Sequence, residues 1–184
     1  MSASPLLSKY HDQLSQAGPV LDLACGSGRN GLQLLQQQIP VVFADSNPQA
    51  LQRVRATLEE PQYRANAGLA ELWEVDFEQP YTRPLQDRDF GAILVFRYLH
   101  RPLFPSIELA LRPGGLLIYE TFTRGQALMG RPTNPDFLLQ EGELEQQFAA
   151  WEILHCFEGT VATPPNRRPS AIAQLVARKP PSAP

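Results

Sequence analysis

The chain has 184 residues, with 16 Lys and Arg against 19 Asp and Glu for a formal charge of −3. That balance, without a basic block, argues against tight nucleic-acid binding through phosphates. The longest clean apolar run, Ala92 to Phe96, is far short of the roughly 18 residues that a membrane span needs. Two cysteines, Cys25 and Cys156, make neither a disulfide framework nor a metal-ligand spacing. The opening MSASPLLSKYHDQ lacks the basic-then-apolar pattern of a secretory signal, so the expectation is a soluble protein of a reducing compartment, the cytoplasm by default. The length suits one domain, expected over residues 1–178, with the proline-rich 179–184 as a frayed tail.

In chain order, residues 4–17 suit a leading helix with Leu6, Leu7, Tyr10 and Leu14 on one face. A short apolar strand follows from Val20 to Ala24, interrupted by Asp22. Leu32, Leu35 and Ile39 keep helical spacing up to Pro40. Val41 to Ala44 is a buried strand that ends at Asp45, and Asn47-Pro48 opens the next helix as cap and first residue. Residues 69–75 read as a third strand ending at Asp76, and Ala92 to Phe96 as a fourth. Leu103, Phe104, Ile107 and Leu111 mark a helix stopped by Arg112-Pro113-Gly114-Gly115. A fifth strand runs from Leu116 to about Phe122, and a helix covers Glu143 to Ala149. Strands at about 151–157 and 171–178 flank a proline-rich loop, 163–169. The stripe Leu144, Phe148, Trp151 reads as core. Alternating strands and helices predict an α/β domain with a mostly parallel sheet covered on both faces. The last two strands, with no helix between them, pair as an antiparallel hairpin. Ligands of such sheets bind beyond the carboxyl ends of the strands, where the strand order reverses.

The segment Asp22-Leu23-Ala24-Cys25-Gly26-Ser27-Gly28-Arg29-Asn30-Gly31 fits G-x-G-x-x-G between a strand and a helix. By itself that is also an ordinary strand-to-helix turn. Three acids add to it. Asp45 lies 17 positions after Gly28, close to the spacing of an acid that accepts from ribose hydroxyls. Asp22 lies inside a buried strand, where a carboxylate repels a pyrophosphate and holds an ammonium. Asp76 ends the third strand at the same rim, placed to accept from an exocyclic amine. Individually, Asp22 is explained by capping its own loop, and Asp45 and Asp76 by facing water. Together they describe a nucleoside with an amino-acid tail and no phosphates, S-adenosylmethionine rather than NAD.

Residues 18–122 resemble the class I S-adenosylmethionine-dependent methyltransferases. Cys25-Gly26-Ser27-Gly28-Arg29-Asn30 with Asp45-Ser46-Asn47-Pro48 is similar to the tellurite-resistance methyltransferase branch. The resemblance implies a three-layer Rossmann-like fold with a seven-stranded sheet in the order 3-2-1-4-5-7-6. It also implies that the loop Ala24 to Gly28 wraps the methionyl part, with Asp22 at its amine, and that Asp45, beside Ser46, binds the ribose. Asp76 would take the adenine amine with Phe77 beside the ring, and Phe96 and Arg97 would close over the cofactor. Asn30 enters as part of the same motif. No metal is implied.

The acceptor site is expected past the fourth and fifth strands. Arg97 there is an anion contact or a surface cation. Tyr98 lines the pocket or packs as core. His100 is a general base, or it caps the next helix or hydrogen-bonds backbone. Tyr119 and Glu120 touch the acceptor, or Glu120 pairs with Arg97 or Arg124. Arg124 opens a long loop, 123–135, that reads as a lid or as a stiff crossover. Arg29 is an anion contact or solvated, and Cys25 contributes backbone rather than thiol chemistry. His11 and His155 read as isolated. The lead expectation is methyl transfer to a small molecule or small anion. The alternatives are an NAD-dependent oxidoreductase and a nucleoside-binding module without turnover.

Overall fold

A computed structural model describes residues 3–14, 18–162 and 169–181. Seven strands form one sheet: β1 (Val20–Leu23), β2 (Val41–Asp45), β3 (Ala70–Glu74), β4 (Phe90–Phe96), β5 (Leu111–Phe122), β6 (Glu152–Val161) and β7 (Ser170–Arg178). Their order is β3-β2-β1-β4-β5-β7-β6. The first five pair parallel with one another, and β7 runs antiparallel between β5 and β6. The sheet order implied by the family resemblance and the terminal hairpin read from the sequence are both found. The order reverses between β1 and β4, so the crevice beyond their carboxyl ends is the natural ligand position.

Helices cover both faces. On one lie α1 (Pro5–Tyr10), α2 (Arg29–Gln36) and α3 (Pro48–Leu58), with Leu7, Leu34, Phe43, Val54, Ile118 and Val176 in the core between them and the sheet. On the other lie α5 (Phe104–Ala110) and α6 (Glu143–Gln147), packed through Ile93, Val95, Phe104, Leu117, Tyr119, Leu144 and Phe148. Burial from both sides explains why β1 and β4 are continuously buried, Asp22 included. A short α4 (Pro61–Arg64) precedes β3. Asn47 caps α3 by accepting from the Gln49 N–H at 2.9 Å, with Pro48 in the first turn.

Several boundaries differ from the sequence reading. The leading helix is shorter than 4–17: α1 ends at Tyr10, whose φ of −118° leaves the helical range, and one 3-10 turn follows over His11–Gln13. Residues 15–17, part of that expectation, lie outside the described residues, as do 163–168 of the proline-rich loop. β5 begins at Leu111 rather than Leu116. Leu111 pairs with Phe90, and the register then shifts so that Ala92 meets Leu116. Gly114, at φ 76°, accommodates the irregular backbone, and the Pro-Gly-Gly run that looked like a helix stop is the bent start of a strand. Lys179 belongs to the fold and not to a frayed tail. Its backbone exchanges hydrogen bonds with Gly114 and Gly115, and its ammonium donates to the carbonyls of Glu108 at 2.6 Å and Leu111 at 2.7 Å. Among the described residues no helix is long and apolar enough to cross a membrane, and no three His, Cys, Asp or Glu side chains gather as a metal site.

Candidate active site

The loop after β1 turns through three left-handed residues, Ala24 (φ 52°), Gly26 (φ 57°) and Gly28 (φ 71°). A non-glycine residue in this region is uncommon and costs on the order of 1 kcal/mol. Ala24 is therefore held there by its neighbours: the Cys25 N–H donates to the Ala44 carbonyl at 3.0 Å, and the Gly28 N–H to the Cys25 carbonyl at 2.9 Å. Glycine at 28 and 31 answers a second demand. A Cβ on Gly28 would meet Val54 at 2.8 Å, and one on Gly31 would collide with Phe43, so α2 packs on β2 only without those atoms. Ser27 is half-buried at the outer curve of the loop.

Two acids bond to this loop, Asp22 of β1 and Asp45 of β2, and a third, Asp76, follows β3. Asp22 is 2% exposed and accepts from the Gly31 N–H at 2.9 Å. Burial raises its pKa to about 7, against the lowering effects of the Gly31 bond and of Arg29, while Asp45 raises it further. Asp45 accepts from Gly26 N–H at 2.7 Å with one oxygen and from Asn47 N–H at 2.8 Å with the other. It is thereby aimed across the loop, and each oxygen keeps a second acceptor site. Asp76, exposed, accepts from the Glu78 N–H at 2.9 Å. The acids also act on two neighbouring side chains. Burial foremost, then Asp22 and Asp45, pushes the Cys25 thiol far up, so no thiolate chemistry is available there. Burial foremost, then Glu78, Asp76 and Asp45, does the same to the Tyr98 phenol. Glu78 is a further acid at this rim that the sequence reading missed, since it lies beyond the strand end where the motif stops. Ser46 is exposed beside Asp45.

The aromatic neighbours are more enclosed than expected. Phe77 is 6% exposed, edge-on to Trp73 with centroids 5.7 Å apart, and Phe96 is 8% exposed in the α1–α3 core. Asn30 is buried and turned toward the N-terminal segment, its Oδ1 accepting from the Ser4 N–H at 2.9 Å. Its side chain fastens α1 to α2 and does not face the crevice of the acids.

Beyond β4 the chain turns at Arg97, another left-handed non-glycine residue (φ 60°). The Arg97 N–H donates to the Glu120 carbonyl at 2.8 Å. Its Nη2 lies 3.2 Å from Glu120 Oε1, and its guanidinium lies over the Phe122 ring at 4.4 Å. Of the two partners open to Glu120, the structure selects Arg97. Burial foremost lowers the Arg97 pKa, against the raising effect of Glu120, and Arg29 of α2 lowers it further. Tyr119 is 1% exposed, and its hydroxyl donates to the Tyr98 carbonyl at 3.1 Å. The acceptor role expected for it is set aside, since this phenol is packed against Phe104 in the core. His100 is half-buried before a 3-10 turn (Arg101–Leu103) and makes no side-chain cap, which removes the capping alternative.

Arg124 is exposed at the start of the 123–135 segment. That segment is tied down along its length. Gln126 is buried, its amide donating to the Arg131 carbonyl and its oxygen accepting from the Ala171 N–H, both at 3.0 Å. Arg101 clasps Glu143 through two bonds and also donates to the carbonyls of Asp136 and Leu138. The lid expectation meets a fastened loop. A cavity of about 670 Å³ lies beyond it, between Leu128, Met129, Leu144, Cys156 and Phe157, away from the three acids. Leu144 and Phe148 are core, as the stripe predicts, with Trp151 half-buried beside them.

Residues 20–115 match the family described as Methyltransferase domain. An uncharacterized methyltransferase of Mycobacterium tuberculosis is 34% identical over 113 residues, 59% of this chain and 42% of that protein, so the matched region spans less than half of the curated relatives. TehB from Haemophilus influenzae superposes with a TM-score of 0.73 at 21% identity, covering 95% of this chain and 61% of that one. The glycopeptide N-methyltransferase MtfA, crystallised with S-adenosyl-L-methionine, superposes with a TM-score of 0.66 at 16% identity, covering 94% and 92% of the two chains. At these identities the structural likeness is one of fold.

Proposed function

Because the chain belongs to the methyltransferase-domain family, we propose that it binds S-adenosylmethionine at the glycine loop and methylates a small, anionic acceptor beside Arg97. One observation carries the reading: the loop after β1 is held between two carboxylates, buried Asp22 at the Gly31 N–H and Asp45 at the Gly26 N–H, where the strand order reverses. The donor set suits the cofactor. Asp22, raised to about 7 by burial, gains a counter-charge from an ammonium, whereas a pyrophosphate would meet repulsion. Asp45 has acceptor capacity left for ribose hydroxyls, and Asp76 is exposed for an amine.

When bound, S-adenosylmethionine supplies a methyl group on a cationic sulfur that leaves as a neutral thioether. The chain's share is positioning and exclusion of water. Arg97, fixed by Glu120 and Phe122, provides the positive surface that orients an anion. Such an acceptor carries its own lone pair and needs no base. For a protonated acceptor, His100 is the candidate base, with no cap bond to hold it. Tyr98 and Arg124 complete the set of candidate acceptor contacts, and Phe77 and Phe96 support the cofactor side from within the core.

The test is calorimetric titration with S-adenosylhomocysteine and, separately, NADH. Binding of S-adenosylhomocysteine alone is expected. Binding of NADH alone would replace the proposal with a nicotinamide enzyme, and binding of neither would leave a module without this cofactor. A screen of selenite, tellurite and small carboxylates, coupled to homocysteine release, then identifies the acceptor.

A further inference from the structure

Glu120 is 5% exposed, and its carboxylate is met from both sides. Oε1 faces Arg97 Nη2 at 3.2 Å, and Oε2 accepts from Gln174 Nε2 at 2.7 Å. Gln174 is the residue directly opposite Glu120 across the β5–β7 ladder. Its amide oxygen in turn lies 3.1 Å from His155 Nε2 on β6. The chemistry of each group fixes the direction of the chain. An ionised Glu120 only accepts, so Gln174 presents its NH₂ there and its oxygen to His155. His155 must then carry its proton on Nε2 and donate it. The histidine is not isolated, as its sequence context suggests. Tyr10 of α1 packs against it with ring centroids 6.2 Å apart and donates to the neighbouring Leu154 carbonyl at 3.4 Å.

We propose that Gln174 and His155 are positioning residues for the acceptor: they hold Glu120 in the orientation that fixes the Arg97 guanidinium at the crevice. The proposal rests on the reading above that Arg97 meets an anionic acceptor. A buried carboxylate bonded from two sides is held in one orientation, and one bonded from a single side is not. Without Gln174, Glu120 is free to rotate about its own side chain, and Arg97 loses a fixed partner while keeping its place over Phe122. A side chain 54 residues from Glu120 in sequence therefore governs how rigidly the cation is displayed.

The test uses the full chain labelled with ¹⁵N. In the wild type, His155 is expected as the Nε2–H tautomer at pH 8, read from long-range ¹H–¹⁵N couplings. A dominant Nδ1–H form would overturn the direction of the chain. The Arg97 side-chain resonance should lose exchange protection about tenfold in Gln174→Leu and His155→Phe, and recover in His155→Gln, which restores a donor. With saturating S-adenosylhomocysteine and selenite as the anion probe, the Arg97 resonance should titrate, and about tenfold more weakly in Gln174→Leu. Unchanged Arg97 protection in Gln174→Leu would overturn the proposal, as would a wild-type Arg97 resonance that ignores selenite. Affinity for S-adenosylhomocysteine itself should be the same in these variants. Its absence in the wild type would instead sink the cofactor reading while leaving the hydrogen-bond chain measurable.

Discussion

The two halves of the sheet hold their charges differently. On the β1–β3 side, Asp22, Asp45 and Asp76 each accept from a backbone N–H, within nine, nineteen and two residues respectively. On the β4–β7 side, Glu120, Gln174, His155, Arg101 and Glu143 bond to one another as side chains, over separations of 19 to 54 residues. The first arrangement leaves carboxylates with capacity to spare for a ligand. The second pairs its charges with each other and leaves Arg97 partly exposed while held by Glu120.

The largest expected effect breaks the first side. Asp22→Asn keeps an acceptor for Gly31 but removes the charge. Affinity for S-adenosylhomocysteine should fall about a hundredfold at pH 8, by the loss of a buried charge-assisted bond. The pH dependence follows from the raised pKa of about 7. Between the ordinary value of 3.8 and about 7 the folded chain holds a proton that the unfolded chain has lost. Wild-type stability relative to Asp22→Asn should therefore fall as pH rises through that window and level off above it. Wild-type affinity should run the opposite way, rising about tenfold from pH 6 to pH 8 as Asp22 ionises. Calorimetry and melting at both pH values check the pair of trends, and parallel trends would refute the assignment.

The next effect breaks the second side. Arg97→Met should leave Glu120 buried with Gln174 as its remaining partner. The cost is about 2 kcal/mol, discounted because the Arg97 side chain is 32% exposed. Adding Glu120→Gln should recover about half of it, since a neutral amide tolerates burial better. Thermal melting of the two variants reads this directly. Cofactor affinity should change little in either, which separates the two halves functionally.

How legible each half was follows the same division. Asp22, Asp45 and the glycines were readable because backbone-bonded groups recur at short, fixed spacings along the chain. Leu111 to Gly115 was misread because Pro-Gly-Gly stops helices in general, whereas here a bulged strand uses the same residues. The Glu120–Gln174–His155 chain was invisible, because nothing local in the almost continuously apolar β7 sequence says which side chains will meet Gln174. Asn30 was read as motif and Tyr119 as pocket for the same reason: their positions were right for the rim, but side-chain direction is decided by packing with Ser4 and Phe104.

A smaller effect tests the fastened loop. Burial favours the neutral form of Glu143, but the Arg101 and Gln140 bonds outweigh it and hold the carboxyl below its usual range. That bond contributes stability above the ordinary value of 4.5 and loses it as pH falls through the depressed value. Arg101→Ala should cost about 1 kcal/mol at pH 7, a partly exposed pair with two carbonyl bonds besides. It should also expose the 131–139 stretch to limited proteolysis at low protease concentration. A cleavage pattern identical to wild type would mean that Gln126 and the backbone bonds of Leu139 hold the segment without Arg101.

The smallest effect concerns the N-terminal helix, which touches both halves. Ser4 donates its N–H to Asn30 on the cofactor side, and Tyr10 reaches the Leu154 carbonyl and the His155 ring on the other. Asn30→Ala leaves the Ser4 N–H buried without that acceptor, at about 1 kcal/mol. The loss is local, because Leu7 and Leu14 remain fully buried in the core. Hydrogen exchange at the amides of residues 6–10 should accelerate several-fold while β1 and β4 amides stay unchanged. If Asn30 instead met the cofactor, the same variant would weaken S-adenosylhomocysteine and leave α1 exchange as it was. The two measurements on one protein therefore decide whether this residue closes the fold or the ligand.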